Sequence, residues 1–386
     1  MNGAADPYDD REQTWVKHDI LRRYLFRLAV IVGNWAGLTY VDCFSGPWEN
    51  KTDDFSDTSF GIAIDQLRAA REKLKERGKV PKLRCLFIEK NAAAFAKLKG
   101  FSQSISDVEI LPIQGELQTQ IETISNFVKA GGQSNFPFIF IDPKGWGGFP
   151  MEKITPLLRL EPGEVLVNFM TSQIRRFVEQ EDQGYSESFA ALYGNTQFRE
   201  KIRQAPEQDR EDMMVGLYGD ELKKRGGFAH VVYTPVFQPQ KNDIHFHLIY
   251  ASRHPRGLTV FKDEEKKAVE GMEKKRAEAQ QRKRQSGGAM ELFGSTELHD
   301  TRFYDSLRDR YLGKLEISFQ QLLSKNKRVP YDALLAVALE IPLVWESDLK
   351  ALLAEKKERG AISYEGFEPR QKVPKSGASN FIVVTT

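Results

Sequence analysis

The sequence predicts an α/β fold, a mostly parallel sheet covered by helices on both faces, followed by a smaller C-terminal unit. Three observations carry this. Short apolar runs alternate with helix-patterned segments from residue 38 to residue 170. Each run is almost continuously apolar, as strands buried on both faces are. Polar or acidic residues recur where the runs end, at Asp42, Glu89, Gly115-Glu116, Asp142 and Asn168. In open α/β sheets the ligand crevice lies along those carboxyl ends.

In chain order, TWVKHDILRRYLFRLAVIV (14–32) spaces Ile20, Leu21, Tyr24, Leu25, Leu28 and Ile31 for an amphipathic helix with a basic outer face. LTYVDCFSG (38–46), LRCLFIEKN (83–91), VEILPIQGEL (108–117), FPFIFIDPKG (136–145) and EVLVNFM (164–170) read as five strands. Helical segments separate them, one stopped by the glycine at 78. A polar helical stretch, 172–227, then precedes FAHVVYTPVF and DIHFHLIYAS, which read as an antiparallel hairpin. It is too long for a simple crossover and reads as a helical insertion over the crevice.

From Lys266 to Arg284 the chain carries eight lysines and arginines among three acids, the pattern of a solvated helical linker, with SGG (286–288) as a hinge. The tail VPYDALLAVALEIP, ESDLKALLAEKKERG and AISYEGFEPRQKVPKSGASNFIVVTT fits helix, helix and two strands, the order of a winged helix-turn-helix. The division is an N-terminal helical segment (1–37), a core (38–262), a charged helical linker (263–310) and a winged-helix-like unit (311–386).

Bulk properties exclude more than they select. A net charge of +2 gives no global attraction to nucleic acid or membrane, so any basic surface is local. The two cysteines, Cys43 and Cys85, lie in apolar runs and read as buried thiols. No apolar stretch approaches the roughly 20 residues of a membrane span. The polar, acidic start MNGAADPYDDREQTW is no signal peptide, so a cytoplasmic location is expected.

The strand ends supply the candidate chemistry. Glu89, closing the second strand, is placed to accept hydrogen bonds from a nucleoside ribose. The first loop, DCFSGPW, has the single glycine Gly46 where a dinucleotide site needs G-x-G-x-x-G, and no P-loop occurs. A pyrophosphate is therefore poorly served, and a cofactor without phosphate, such as S-adenosylmethionine, asks less of this loop. His245 and His247 alternate on one strand, but no third ligand of suitable spacing accompanies them, and no metal is expected. No G-x-S-x-G elbow is present.

YVDCFSGPW, FIEKN, FIFIDPKGW, VLVNFM followed by IRRF, HLIYASRHPRGLTVFKD and the opening WVKHDILRRYL together resemble the three-Cys-motif partner protein family, over most of residues 14–265. Ser45 and Trp48 stand where that family's first loop has alanine and glycine. The resemblance implies a Rossmann-like, class I methyltransferase core, S-adenosylmethionine as cofactor, and a separate partner protein carrying the three-cysteine motif. Asp42, Phe44, Ser45, Gly46, Glu89, Lys90, Gly115 and Glu116 are then the candidate cofactor residues. It also implies that the helix bearing Lys17 and His18 lies over the cofactor side.

Amino-group methyltransferases of this fold end the fourth strand in D-P-P-[YFW], and the order here is D-P-K-G-W. Asp142 and Pro143 are the candidate acceptors for an exocyclic amino group, and Trp146 the candidate ring to stack on a flipped base. Lys17, Asn168, Arg175, Arg176 and Arg253 are candidate contacts to substrate phosphates or acids. The expected function is S-adenosylmethionine-dependent methylation of a nucleic-acid amino group. Two alternatives stay open: a methyltransferase for a protein, peptide or small molecule working with a partner, and a non-catalytic cofactor-binding module.

Overall fold

The computed structural model describes residues 6–46, 50–180, 182–286, 294–295 and 299–385. Trp48 and the Gly287-Gly288 hinge lie outside the described residues. Helix α1 (Glu12–Val32) leads into β1 (Leu38–Asp42), and three βα units follow: α2 (Ser59–Lys75), β2 (Leu83–Glu89), α3 (Ala92–Ser104), β3 (Glu109–Gln114), α4 (Ile121–Lys129) and β4 (Phe136–Ile141). The Thr58 and Asn91 side chains cap α2 and α3 by accepting the backbone N–H groups of Gly61 and Ala94. Next come α5 (Met151–Leu158) and β5 (Glu164–Phe169), then the predicted insertion as α6 (Thr171–Phe177), α7 (Gln183–Tyr193), α8 (Phe198–Gln204) and α9 (Arg210–Gly226). Strands β6 (His230–Phe237) and β7 (Ile244–Ser252) form the expected hairpin.

The sheet runs β3-β2-β1-β4-β5-β7-β6, with β1 to β5 mutually parallel and β7 antiparallel to both β5 and β6. Strand alternation divides the core between its two faces. Tyr40, Cys85, Phe87, Phe138 and Phe140 pack toward α1 and α2, while Val41, Leu86, Ile139, Ile141 and Val167 pack toward α5, α7 and α9. Pro112 is tolerated in β3 because that strand is an edge. Both cysteines are buried free thiols.

Helix α10 (Pro255–Ser286) spans much of the segment expected as a charged helical linker. It is one continuous helix, and Leu258, Phe261, Ala268, Val269, Met272 and Ala277 bury a stripe that packs on α1. Several of its cations are paired: Lys275 with Asp6 at 2.7 Å, Arg276 with Glu273 at 2.9 Å, and Lys262 with Glu265 at 2.6 Å. The boundary at 262/263 therefore falls inside a helix. That at 310/311 falls inside α11 (Arg302–Lys325). Then follow β8 (Arg328–Pro330), α12 (Tyr331–Glu340), α13 (Glu346–Glu358), β9 (Ile362–Glu365) and β10 (Phe381–Val384), with an antiparallel sheet in the order β8-β10-β9. This unit is joined to the core by Trp345, whose indole N–H donates to Glu265 at 3.0 Å. No described helix is long and apolar enough to cross a membrane.

Candidate active site

The carboxyl ends of β1, β2, β3, β4 and β5 share one edge, and the strand order reverses between β1 and β4, where a crevice must open. At the end of β1, the Asp42 carboxylate is buried and accepts the Phe44 N–H at 3.1 Å. Burial pushes its carboxyl up to about 6, against the opposing pull of the Ser59 and Phe44 hydrogen bonds. Ser45 fastens the first loop to β2. Its hydroxyl donates to the Asp42 carbonyl at 2.8 Å and accepts the Ile88 N–H at 3.2 Å, and its own N–H donates to the Ile88 carbonyl at 2.8 Å.

A cavity of about 450 Å³ opens beside this loop, walled by Phe44, Ile88, Glu89, Lys90, Gly115, Glu116 and Pro143. Glu89 is 2% exposed. One carboxylate oxygen, Oε1, accepts the Asn91 N–H at 2.5 Å, whereas the buried Oε2 has no hydrogen-bond partner among the described residues. A buried carboxylate oxygen without a donor is costly, and its natural complement is a ligand hydroxyl. Gly115 brings β3 against this residue through its N–H to the Glu89 carbonyl at 3.1 Å. A side chain at Gly115 would crowd Gln120, whose amide nitrogen would lie 3.0 Å from the added Cβ. Lys90 and Glu116 sit at the exposed rim, 4.0 Å apart. A first loop without the glycine pattern of a phosphate site, the apolar Phe44 and Ile88 and the orphaned acceptor fit S-adenosylmethionine.

A second, smaller cavity of about 150 Å³ adjoins the first, sharing Phe44 and Lys144 with it, and Gly46, Lys17, His18, Asp57 and Asp142 also line it. Here α1 contributes what the sequence pattern understated. The Lys17 ammonium donates to Asp142 Oδ2 at 2.5 Å, and the Asn168 amide of β5 donates to Oδ1 at 2.7 Å. Asp142 is thus clamped from both sides, and Lys17 is a partner of that carboxylate rather than a free substrate contact. His18 is buried, with Nδ1 3.1 Å from the Tyr8 hydroxyl. Burial, reinforced by Lys17, Arg22 and Arg11, holds it well below the ordinary histidine range, so it is neutral. Its inward position was readable, since 18, 21, 25 and 28 share a helix face with three buried leucines.

Three expected contacts are corrected. Trp146 does not face the crevice as a stacking platform. Its ring packs on Phe189 at 5.1 Å and between Phe177 and Tyr185, and its N–H donates to Ser188 at 3.0 Å, so α7 holds it. Arg253 follows β7, and because β7 is antiparallel it emerges at the opposite edge of the sheet. There it donates to the carbonyls of Gly163, Leu158 and Gly226 and covers the Phe228 ring, binding strand and helix ends together. Arg175 is spent on Glu211 at 3.1 Å and Asp243 at 2.5 Å. Arg176 is exposed and lies over Phe177. His247 is buried against Thr171, and no cluster of three metal-ligating side chains occurs among the described residues.

The order 3-2-1-4-5-7-6, with the seventh strand alone antiparallel and the crevice at the reversal, decides the fold. It is the class I methyltransferase fold. No protein-family model matches the chain, and no curated protein matches it. Among solved structures, protein LPL1258 of Legionella pneumophila, of the DUF519 family, is similar with 12% identity and a TM-score of 0.37, over 65% of this chain and 89% of that one. The cofactor-bound Rv0187 protein from MTB has 13% identity and a TM-score of 0.31, covering 60% and 79%. A loganic acid methyltransferase with SAH has 10% identity and a TM-score of 0.29, covering 68% and 84%.

Proposed function

We propose that the chain is an S-adenosylmethionine-dependent methyltransferase that modifies an amino group, carried by a nucleic acid. The observation that bears most weight is Glu89, a buried carboxylate at the end of β2, beside the first loop, with one oxygen unpartnered among the described residues. Glu89 would accept the ribose hydroxyls, Phe44 and Ile88 would flank the adenine, and Lys90 and Glu116 would close the rim. S-adenosylmethionine, when bound, supplies an electrophilic methyl group.

On the acceptor side, each oxygen of Asp142 keeps a lone pair beyond the bond from Lys17 or Asn168. The carboxylate and the carbonyl of Pro143 can therefore still receive amino hydrogens and hold the nitrogen lone pair in one direction. Lys17 and Asn168 fix Asp142 for that task. Neutral His18, lining the same cavity, takes the proton that the amino group sheds.

Calorimetric titration with S-adenosylmethionine and S-adenosylhomocysteine tests the cofactor reading, and absence of binding by both refutes it. Transfer of a labelled methyl group to DNA, RNA and protein, with Asp142→Ala as control, tests the acceptor. Label confined to protein would favour the second reading, a protein acceptor presented with a partner such as a three-Cys-motif protein. One observation supports that reading. In the C-terminal unit, which we take as a winged helix from its α11-β8-α12-α13-β9-β10 order, cations are balanced locally: Arg328 by Glu365, Lys350 by Glu346 and Arg359 by Glu355. These pairs leave those three cations less available to grip phosphates.

A further inference from the structure

The sheet edge opposite the crevice carries a second opening. The end of α1, the end of α2 and the start of α10 meet α12 there, leaving a groove of about 760 Å³. Its floor is apolar, built from Val30, Ile31, Leu258, Val260, Leu335 and Leu339. Through His254 and Arg256 it continues into a cleft of about 300 Å³ whose wall includes Trp35, an indole left 57% exposed. Exposed tryptophan beside aliphatic floor is the composition of a contact surface rather than of solvated protein exterior.

The rim has one sign. Arg27, Arg77 and Arg256 border the groove, with Lys73 already paired to Glu76 at 2.6 Å and His254 accepting the Arg256 N–H through Nδ1, against the single lining acid Asp332. Both oxygens of Asp332 already accept the Gly377 N–H at 3.1 Å. Arg77 and Arg256 make no ion pair with another described residue, and Arg27 reaches Glu264 only at 3.8 Å. We propose that this groove binds an acidic, amphipathic peptide segment of a protein partner, with apolar side chains on the floor and carboxylates on the cationic rim. A helix with apolar residues at i, i+4 and i+7 meets both demands at once. A nucleic acid meets only one, because an aliphatic floor offers its bases neither stacking rings nor hydrogen-bonding groups. The groove lies at the amino ends of the strands, so a partner seated there leaves the cofactor crevice open.

The test is fluorescence anisotropy on the full chain with a labelled helical peptide carrying leucine at i, i+4 and i+7 and glutamate elsewhere. A second peptide with lysine for glutamate serves as comparison. The acidic peptide should bind, and the lysine peptide should not. The double variant Arg77→Glu, Arg256→Glu should weaken binding by about tenfold or more, since it reverses two rim charges. Ala336→Trp, which fills the groove from α12, should abolish it. Unchanged circular dichroism would show that both variants fold. Equal binding of the two peptides, no binding of the acidic one, indifference to both variants, or displacement of the peptide by an oligonucleotide would each overturn the proposal.

Discussion

Lys17 and Asp142, 125 residues apart in the chain, meet at 2.5 Å over the mouth of the crevice. The pair joins the opening helix to the end of β4, and both side chains are largely buried, at 12% and 13% exposure. Removing one member leaves the other charge poorly solvated, a loss of about 3 kcal/mol or more for buried pairs. Lys17→Met and Asp142→Asn should each lower stability and methyl transfer. The double variant should lose less stability than the two single losses added, which a double-mutant cycle in denaturant would show.

Glu89→Gln separates binding from stability. It keeps an oxygen for the Asn91 N–H and removes a buried charge whose second oxygen has no partner among the described residues. Affinity for S-adenosylmethionine should fall at least tenfold by calorimetry, about 1.4 kcal/mol. The ligand-free protein should melt at the same temperature or higher, because functional sites hold such groups at a cost in stability.

His18→Asn should slow transfer by about 100-fold or more, the usual contribution of a positioned base. Affinity for S-adenosylhomocysteine should change little, and the acid limb of the pH–rate profile should disappear. A structural role for His18 would instead lower stability and leave that limb in place.

Two buried groups give opposing pH dependences. Burial raises Asp42 from 3.8 to about 6, so its contribution to stability is full below about pH 4 and is lost as pH rises through 6. Burial lowers His247 from 6.5 to about 4, so its contribution is full above about pH 6.5 and is lost as pH falls toward 4. Over pH 4 to 6 the two offset each other. Asp42→Asn should therefore make the protein lose stability on acidification more steeply than the natural chain. His247→Gln should make it gain stability. Chemical denaturation at a series of pH values would read both slopes.

Trp146→Ala should destabilise by about 3 kcal/mol or more, because the ring fills the space between Phe177, Tyr185 and Phe189. Methyl transfer per folded molecule should be retained, as a base-stacking role would not allow. Trp146→Phe should recover most of the lost stability.

Apolar runs, their spacing and the polar residues that close them determined the sheet, its crevice edge and the position of Glu89, because strand burial and strand-end chemistry are local in sequence. The fold class was legible for that reason, and so was the hairpin at β6 and β7. Contacts across the fold were not. Trp146 looked like part of a motif, but its neighbours come from α6 and α7. Arg253 looked close to the substrate in sequence, yet the antiparallel direction of β7 carries it to the far edge. The basic run in α10 reads as solvated until α1 is laid against it and its cations meet acids three residues away or on other segments. Lys17, Asn168 and Asp142 are unremarkable singly. Only the packing of α1 over the carboxyl ends of β4 and β5 makes them one site, since a carboxylate's surroundings are set by groups distant in the chain.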